Sequence, residues 1–83
     1  LDEEEIEMPR QNAYVPQTGL LKNCLSVIVD VQPDRMVVIE CTQLKQKGNR
    51  DLVSFDQLSL ACSWEWTNGD VGMTNAQVRS KLG

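Results

Sequence analysis

The feature that most constrains this chain is a change of phase between Leu52 and Trp66. Val53 and Phe55 are odd-numbered, whereas Leu58, Leu60, Cys62, Trp64 and Trp66 are even-numbered. A strand alternates its side chains between two faces, so one unbroken strand cannot bury both sets on one side. The economical solution is a bulge or one-turn break at Asp56-Gln57, with a strand on either side of it.

Upstream of that break the chain reads as a hairpin. Leu25, Val27, Val29 and Val31 fall on one face of a strand, with Ser26 and Asp30 on the other. Gln32-Pro33-Asp34-Arg35 interrupts the pattern, because Pro fixes φ and Asp tolerates turn geometry. A second strand follows, with Val37, Ile39 and Cys41 on one face and Glu40 and Thr42 on the other. Two β-branched runs joined by a short polar turn predict an antiparallel hairpin. Lys45 to Asp51 is then a polar loop with a Gly-Asn turn signal at Gly48-Asn49. The expected fold is mainly β: a small five-stranded antiparallel barrel, closed by the helical turn between the last two strands.

Over residues 24–66 the pattern resembles the Sm-like (LSm) fold and, more loosely, any SH3-like barrel. Val27-x-Val29-Asp30 and Asp34 stand where the hydrophobic positions and turn of that family's hairpin motif fall. Cys24 takes the family's Gly position, Asp34 its turn Asn, and Asp56-Gln57 replaces the Arg-Gly of its second motif. In the family, the turn Asp and Asn and the Arg-Gly loop form a uridine pocket. The resemblance therefore implies the barrel without Sm-type RNA binding.

Eighty-three residues make at most one domain. A chain this short buries only about 60% of its unfolded surface, which favours burial against a partner or its own copies. The absence of an initiating Met and the acidic start suggest a piece of a longer polypeptide. The net charge of −4 is unevenly spread. Asp2, Glu3, Glu4, Glu5 and Glu7 face only Arg10 in the first ten residues, and acidic and basic residues balance from Gln11 onward. A neutral body with an acidic tail gives no broad attraction to phosphate backbones. No apolar run is long enough to span a bilayer, and no signal-like segment is present. Three cysteines (Cys24, Cys41 and Cys62) cannot all pair within the chain. Free thiols in apolar strands suit a reducing compartment, so cytoplasm or nucleus is expected.

The chain divides into an acidic, flexible arm at residues 1–14 and a domain at residues 15–83. Pro9 would end any nascent helix in the arm. Besides acting as a solvated linker, the arm could lie over a sheet edge through Ile6 and Met8. Gln17-Thr18-Gly19 is a turn, after which Leu20-Leu21 starts the first strand or packs beneath the barrel. At the other end, Thr74 and Gln77 form a capping box. They predict a short helix from about residue 75 to Leu82, with Val78 and Leu82 one turn apart and Gly83 as its stop.

Little here points to chemistry. His, the commonest acid–base group near neutral pH, is absent. No phosphate-cradling glycine loop or nucleophile elbow occurs. Widely spaced cysteines without His do not make a structural zinc site; Cys41 and Cys62 share the phase of core positions and read as small hydrophobes. The chain is therefore expected to be non-catalytic, with no cofactor, no metal and no small-molecule substrate. Trp64 and Trp66, on the same face as Leu60 and Cys62, either close one end of the core or anchor a partner, with Tyr14 beside them.

The expected function is a protein–protein interaction or assembly module, working through a strand edge or the aromatic end. A single-stranded nucleic-acid (RNA) binder is the alternative. It would use the basic loop of Lys45, Lys47 and Arg50 with Trp66 or Tyr14 as a stacking surface. A Tudor-type methyl-lysine reader is the second, and needs about three converging aromatics from Tyr14, Phe55, Trp64 and Trp66.

Overall fold

A computed structural model describes residues 8–83. Its elements are β1 (Arg10–Pro16), β2 (Ser26–Val31), β3 (Met36–Cys41), β4 (Arg50–Ser54), β5 (Leu58–Glu65) and α1 (Asn75–Leu82). All strand pairings are antiparallel, in the order β4-β3-β2-β1-β5.

The hairpin is where its residues placed it. Pro33–Arg35 forms a 3-10 turn between β2 and β3, with Asp34 and Arg35 at positive φ of 61° and 59°. The break between β4 and β5 is also present, as a 3-10 turn at Phe55–Gln57 capped by Ser54, whose hydroxyl accepts from the Asp56 N–H. Arg35 reaches from the hairpin turn to this corner. Its guanidinium donates to Asp56 Oδ1 at 3.0 Å and lies 5.2 Å from the centre of the Phe55 ring.

The corner does not close a barrel. A barrel requires every strand to have two neighbours, whereas β4 and β5 are the two edges of an open sheet and do not pair with each other. After the turn β5 leaves β4 and runs along β1, from Pro16↔Leu58 to Arg10↔Glu65. The expected five-stranded barrel is thus corrected to an open five-stranded sheet, and the Sm-like and SH3-like resemblance falls with it.

Two bulges reset the faces. β2 pairs Ile28 with Ile39 and then Asp30 with Val38, which leaves Val29 as an extra residue. The expected in-phase row of Leu25, Val27, Val29 and Val31 is therefore broken. Ser26 and Ile28 lie opposite Cys41 and Ile39, and past the bulge Val31 lies opposite Val37. In β5, Cys62 pairs with Ala13 and Leu60 with Tyr14, so Ala61 is the extra residue. Leu60 consequently shares a face with Tyr14, while Cys62 and Trp64 lie with Ala13 and Gln11 on the other. The expected single row from Leu60 to Trp66 does not form.

One core results. Leu21, Ile28, Val37, Ile39, Cys41, Val53 and Val78 are buried together, with Tyr14, Phe55, Leu58 and Leu82 packed against them. Of the Leu20-Leu21 pair, Leu21 enters this core and Leu20 points outward. α1 brings Val78 and Leu82 to it through the predicted capping box, in which Gln77 N–H donates to Thr74 Oγ1 and Thr74 N–H to Gln77 Oε1.

β1 and β2 share one pair of opposed residues, Tyr14↔Ser26, and the segment leading into α1 fills the gap beyond it. Met73 N–H donates to the Ile28 carbonyl at 2.9 Å, and the buried Gln11 amide donates to the Val71 carbonyl at 2.7 Å. Gly72 sits in this seam at φ 97°, where a Cβ would collide with Gln11 Nε2 and press on the Ile28 carbonyl. Residues 10–14, expected in the acidic arm, thus lie in an interior strand of the sheet. The rest of the arm, including Ile6, lies outside the described residues apart from Met8 and Pro9.

Candidate functional site

The two edges of the sheet are dressed differently. β4 is five residues long and carries Arg50 and Asp51. Arg50 Nε donates to Glu40 Oε1 at 2.8 Å on the neighbouring strand, and Asp51 Oδ2 accepts from the Leu20 N–H at 2.9 Å. The turn through Gly19 and Leu20 thereby clips onto this edge. Charges and a covering loop are two devices that keep an edge from pairing with foreign strands.

β5 is eight residues long, and its one charged residue is Glu65 at the end. Most of its side chains are exposed; Leu60, expected in the core, is 63% exposed. Cys62, also expected to be buried, is an exposed free thiol. The cause lies in the pairing. Among the described residues β5 has β1 on one side and no strand on the other, and the Ala61 bulge turns Leu60 and Cys62 to opposite faces.

That bulge also sets which backbone groups face outward. At one end of the strand Gln17 N–H donates to the Gln57 carbonyl, and at the other Trp66 N–H donates to the Pro9 carbonyl, each at 2.9 Å. Inward groups therefore fall on odd residues before the bulge and even residues after it. The outward N–H and C=O groups form two short rows, at Leu58 and Leu60 and at Ser63 and Glu65.

The proposed aromatic anchors separate. Trp64 and Trp66 are partly exposed at the β5 end. The Trp66 indole Nε1 is sealed from solvent and has no acceptor among the described residues. Tyr14 faces the other way. Its ring meets Phe55 edge-on at 5.9 Å, and its hydroxyl accepts from Asn12 Nδ2 at 3.2 Å. The four aromatics thus form two groups, Tyr14 with Phe55 on the core side and Trp64 with Trp66 at the β5 edge.

The basic loop lies at the opposite edge. Lys45 and Lys47 are exposed in the β3–β4 connection, while Arg50 is held by Glu40. β4 and β5 stand at the two ends of the strand order and do not pair with each other. Neither Trp66 nor Tyr14 lines the cavity beside Lys45; the most exposed apolar side chain there is Leu44, at 90%.

Two of the surface cavities are lined by described residues. One of about 370 Å³ lies between Met8, Pro9 and Arg10 and the α1 residues Asn75, Ala76 and Arg79. The other, of about 290 Å³, is lined by Cys24 and Gln43 to Gln46. Among the described residues no group of three or more His, Cys, Asp or Glu side chains could hold a metal ion. No described helix is long and apolar enough to cross a membrane.

Leu60, Cys62 and the row at Ser63 and Glu65 were not singled out from the sequence as site residues. The signal available for them was the uncharged run from Leu58 to Trp64. Among the described residues the fold is an open antiparallel sheet with one packed helix, and no strand pairs with the outer side of β5. No protein-family model, curated protein or solved structure matches it.

Proposed function

We propose that this chain is a non-catalytic interaction module that joins another protein, or its own copies, by accepting a strand along β5. The observation that carries this reading is the contrast between the guarded β4 edge and the eight-residue, almost uncharged β5 edge. An added strand would take up the outward N–H and C=O groups of Leu58, Leu60, Ser63 and Glu65. Its side chains would meet Leu60 on one face and Cys62 and Trp64 on the other. Trp64 and Trp66 then act as anchors at the end of the edge, where indoles contribute strongly to binding once desolvated. Tyr14 supports Leu60 from the neighbouring strand. A small sheet gains from such a partner, because much of its apolar surface stays in water when it stands alone.

The test is the solution mass of the chain across a concentration series, compared with Leu60→Lys. Self-association, or retention of a defined partner from the native lysate, should be lost in the Lys variant while its thermal unfolding is unchanged. A chain that stays monomeric at high concentration and retains no partner would refute the proposal.

A further inference from the structure

Cys24 precedes β2 and Cys41 ends β3, and Cys24 lines a cavity together with the loop residues that follow Cys41. Ser26 lies directly opposite Cys41, and Cys24 stands two residues before Ser26, whose hydroxyl donates to the Cys24 carbonyl at 3.1 Å. Cys24 packs against the core cluster that contains Cys41. The β3–β4 loop touches both sulfurs: Gln46 Nε2 donates to Cys24 Sγ at 3.0 Å, and Gln43 N–H donates to Cys41 Sγ at 3.3 Å. Gln43 also holds the β2 entry, its Oε1 accepting from the Leu25 N–H at 3.0 Å. The cavity of about 290 Å³ opens on Cys24, whereas Cys41 is buried beneath it.

We infer that Cys24 and Cys41 are a dithiol modification site, which a peroxide oxidises to an intramolecular disulfide across the β2–β3 hairpin. Access orders the steps. The Cys24 thiolate attacks one peroxide oxygen and the O–O bond breaks; hydroxide leaves and Cys24 becomes a sulfenic acid. The Cys41 sulfur then attacks the Cys24 sulfur, expelling the sulfenic oxygen as water and losing its own proton. Two thiols give up two electrons to one peroxide, which ends as two waters. Closing the bond takes Cys24 Sγ away from Gln46, while the backbone bonds between Cys41 and Asn49 keep the loop in place.

Burial, and then the adjoining Cys41 side chain, push the Cys24 thiol above its usual range. The other charged group at this place is Lys45 of the loop, which lines the same cavity. The thiolate is the attacking species. Bond formation should therefore be slow at neutral pH and should still accelerate above pH 9.0, the ordinary value for such a thiol.

The test uses Cys62→Ser, which removes the exposed thiol and keeps the pair, treated with hydrogen peroxide. The expected product is lighter by about 2 Da, as two hydrogens are lost, and a peptide map links Cys24 to Cys41. Its Tm should rise by roughly 5 °C or more, reversibly with dithiothreitol, because the bond constrains the unfolded chain. In the same background Cys24→Ala should abolish the mass loss. A product about 16 or 32 Da heavier with no linking peptide, or a disulfide between two molecules, would overturn the inference. The peptide map of Cys62→Ser decides the matter even if Cys24→Ala does not fold.

Discussion

The β4 and β5 edges belong to one sheet, yet they are built on opposite plans. β4 is short, keeps its one buried side chain, Val53, in the core, and spends Arg50 and Asp51 on neighbours that cover it. β5 is longer, lacks Lys, Arg and Pro, and leaves Leu60 and Cys62 in water. The difference teaches that one sheet can fasten one edge with charges and a loop while leaving most side chains of the other exposed. The Ala61 bulge tempers the open edge, since a break in the outward row limits how much of a foreign strand can zip on.

Three substitutions and one deletion would break or sharpen that contrast. Val53→Ala removes buried methyl groups from the guarded edge and should cost about 2 kcal/mol of stability in urea unfolding. Loss below about 0.5 kcal/mol would mean that β4 is no more integral than β5. Deleting Ala61 should come next. Every other β1–β5 pair keeps its partner while the outward row becomes continuous, so association measured by sedimentation should strengthen about tenfold, equivalent to roughly 1.4 kcal/mol. Unchanged association would show that the bulge does not limit pairing. Asp51→Ala unfastens the Leu20 turn and should cost about 1 kcal/mol, with faster amide exchange at Leu20 as the local sign. Leu60→Ala closes the series. A side chain 63% exposed should change stability by no more than about 0.5 kcal/mol, and a larger loss would move Leu60 back into the core.

The hairpin shows how far the residues alone could be read. Pro33 fixes the turn, and Val37, Ile39 and Cys41 face the core in the order their alternation predicts. The same strand pair shows the limit. Val29 is bulged although Leu25, Val27, Val29 and Val31 form an unbroken alternating row in the sequence, because the register of β2 is set by β3 and not by its own pattern. The candidate site was less legible than the fold. Trp64 and Trp66 lie at the end of β5, whereas Leu60 and Cys62 have the parity of core positions and yet are exposed. Their exposure follows from β5 having no outer strand among the described residues, and no local pattern records that.

By itself, the sequence determined the features that neighbouring residues enforce: the β2–β3 hairpin, the turn at Phe55–Gln57, and a helix started by Thr74 and Gln77 and stopped by Gly83. These depend on φ preferences, side-chain caps and period, all acting within a few residues. Only the tertiary structure decided that β5 pairs with β1, some fifty residues away, that the sheet stays open, and that the segment around Gly72 fills the seam between β1 and β2. Those outcomes depend on which backbone donors and acceptors find one another after collapse, a competition among distant segments that alternation and propensity do not encode.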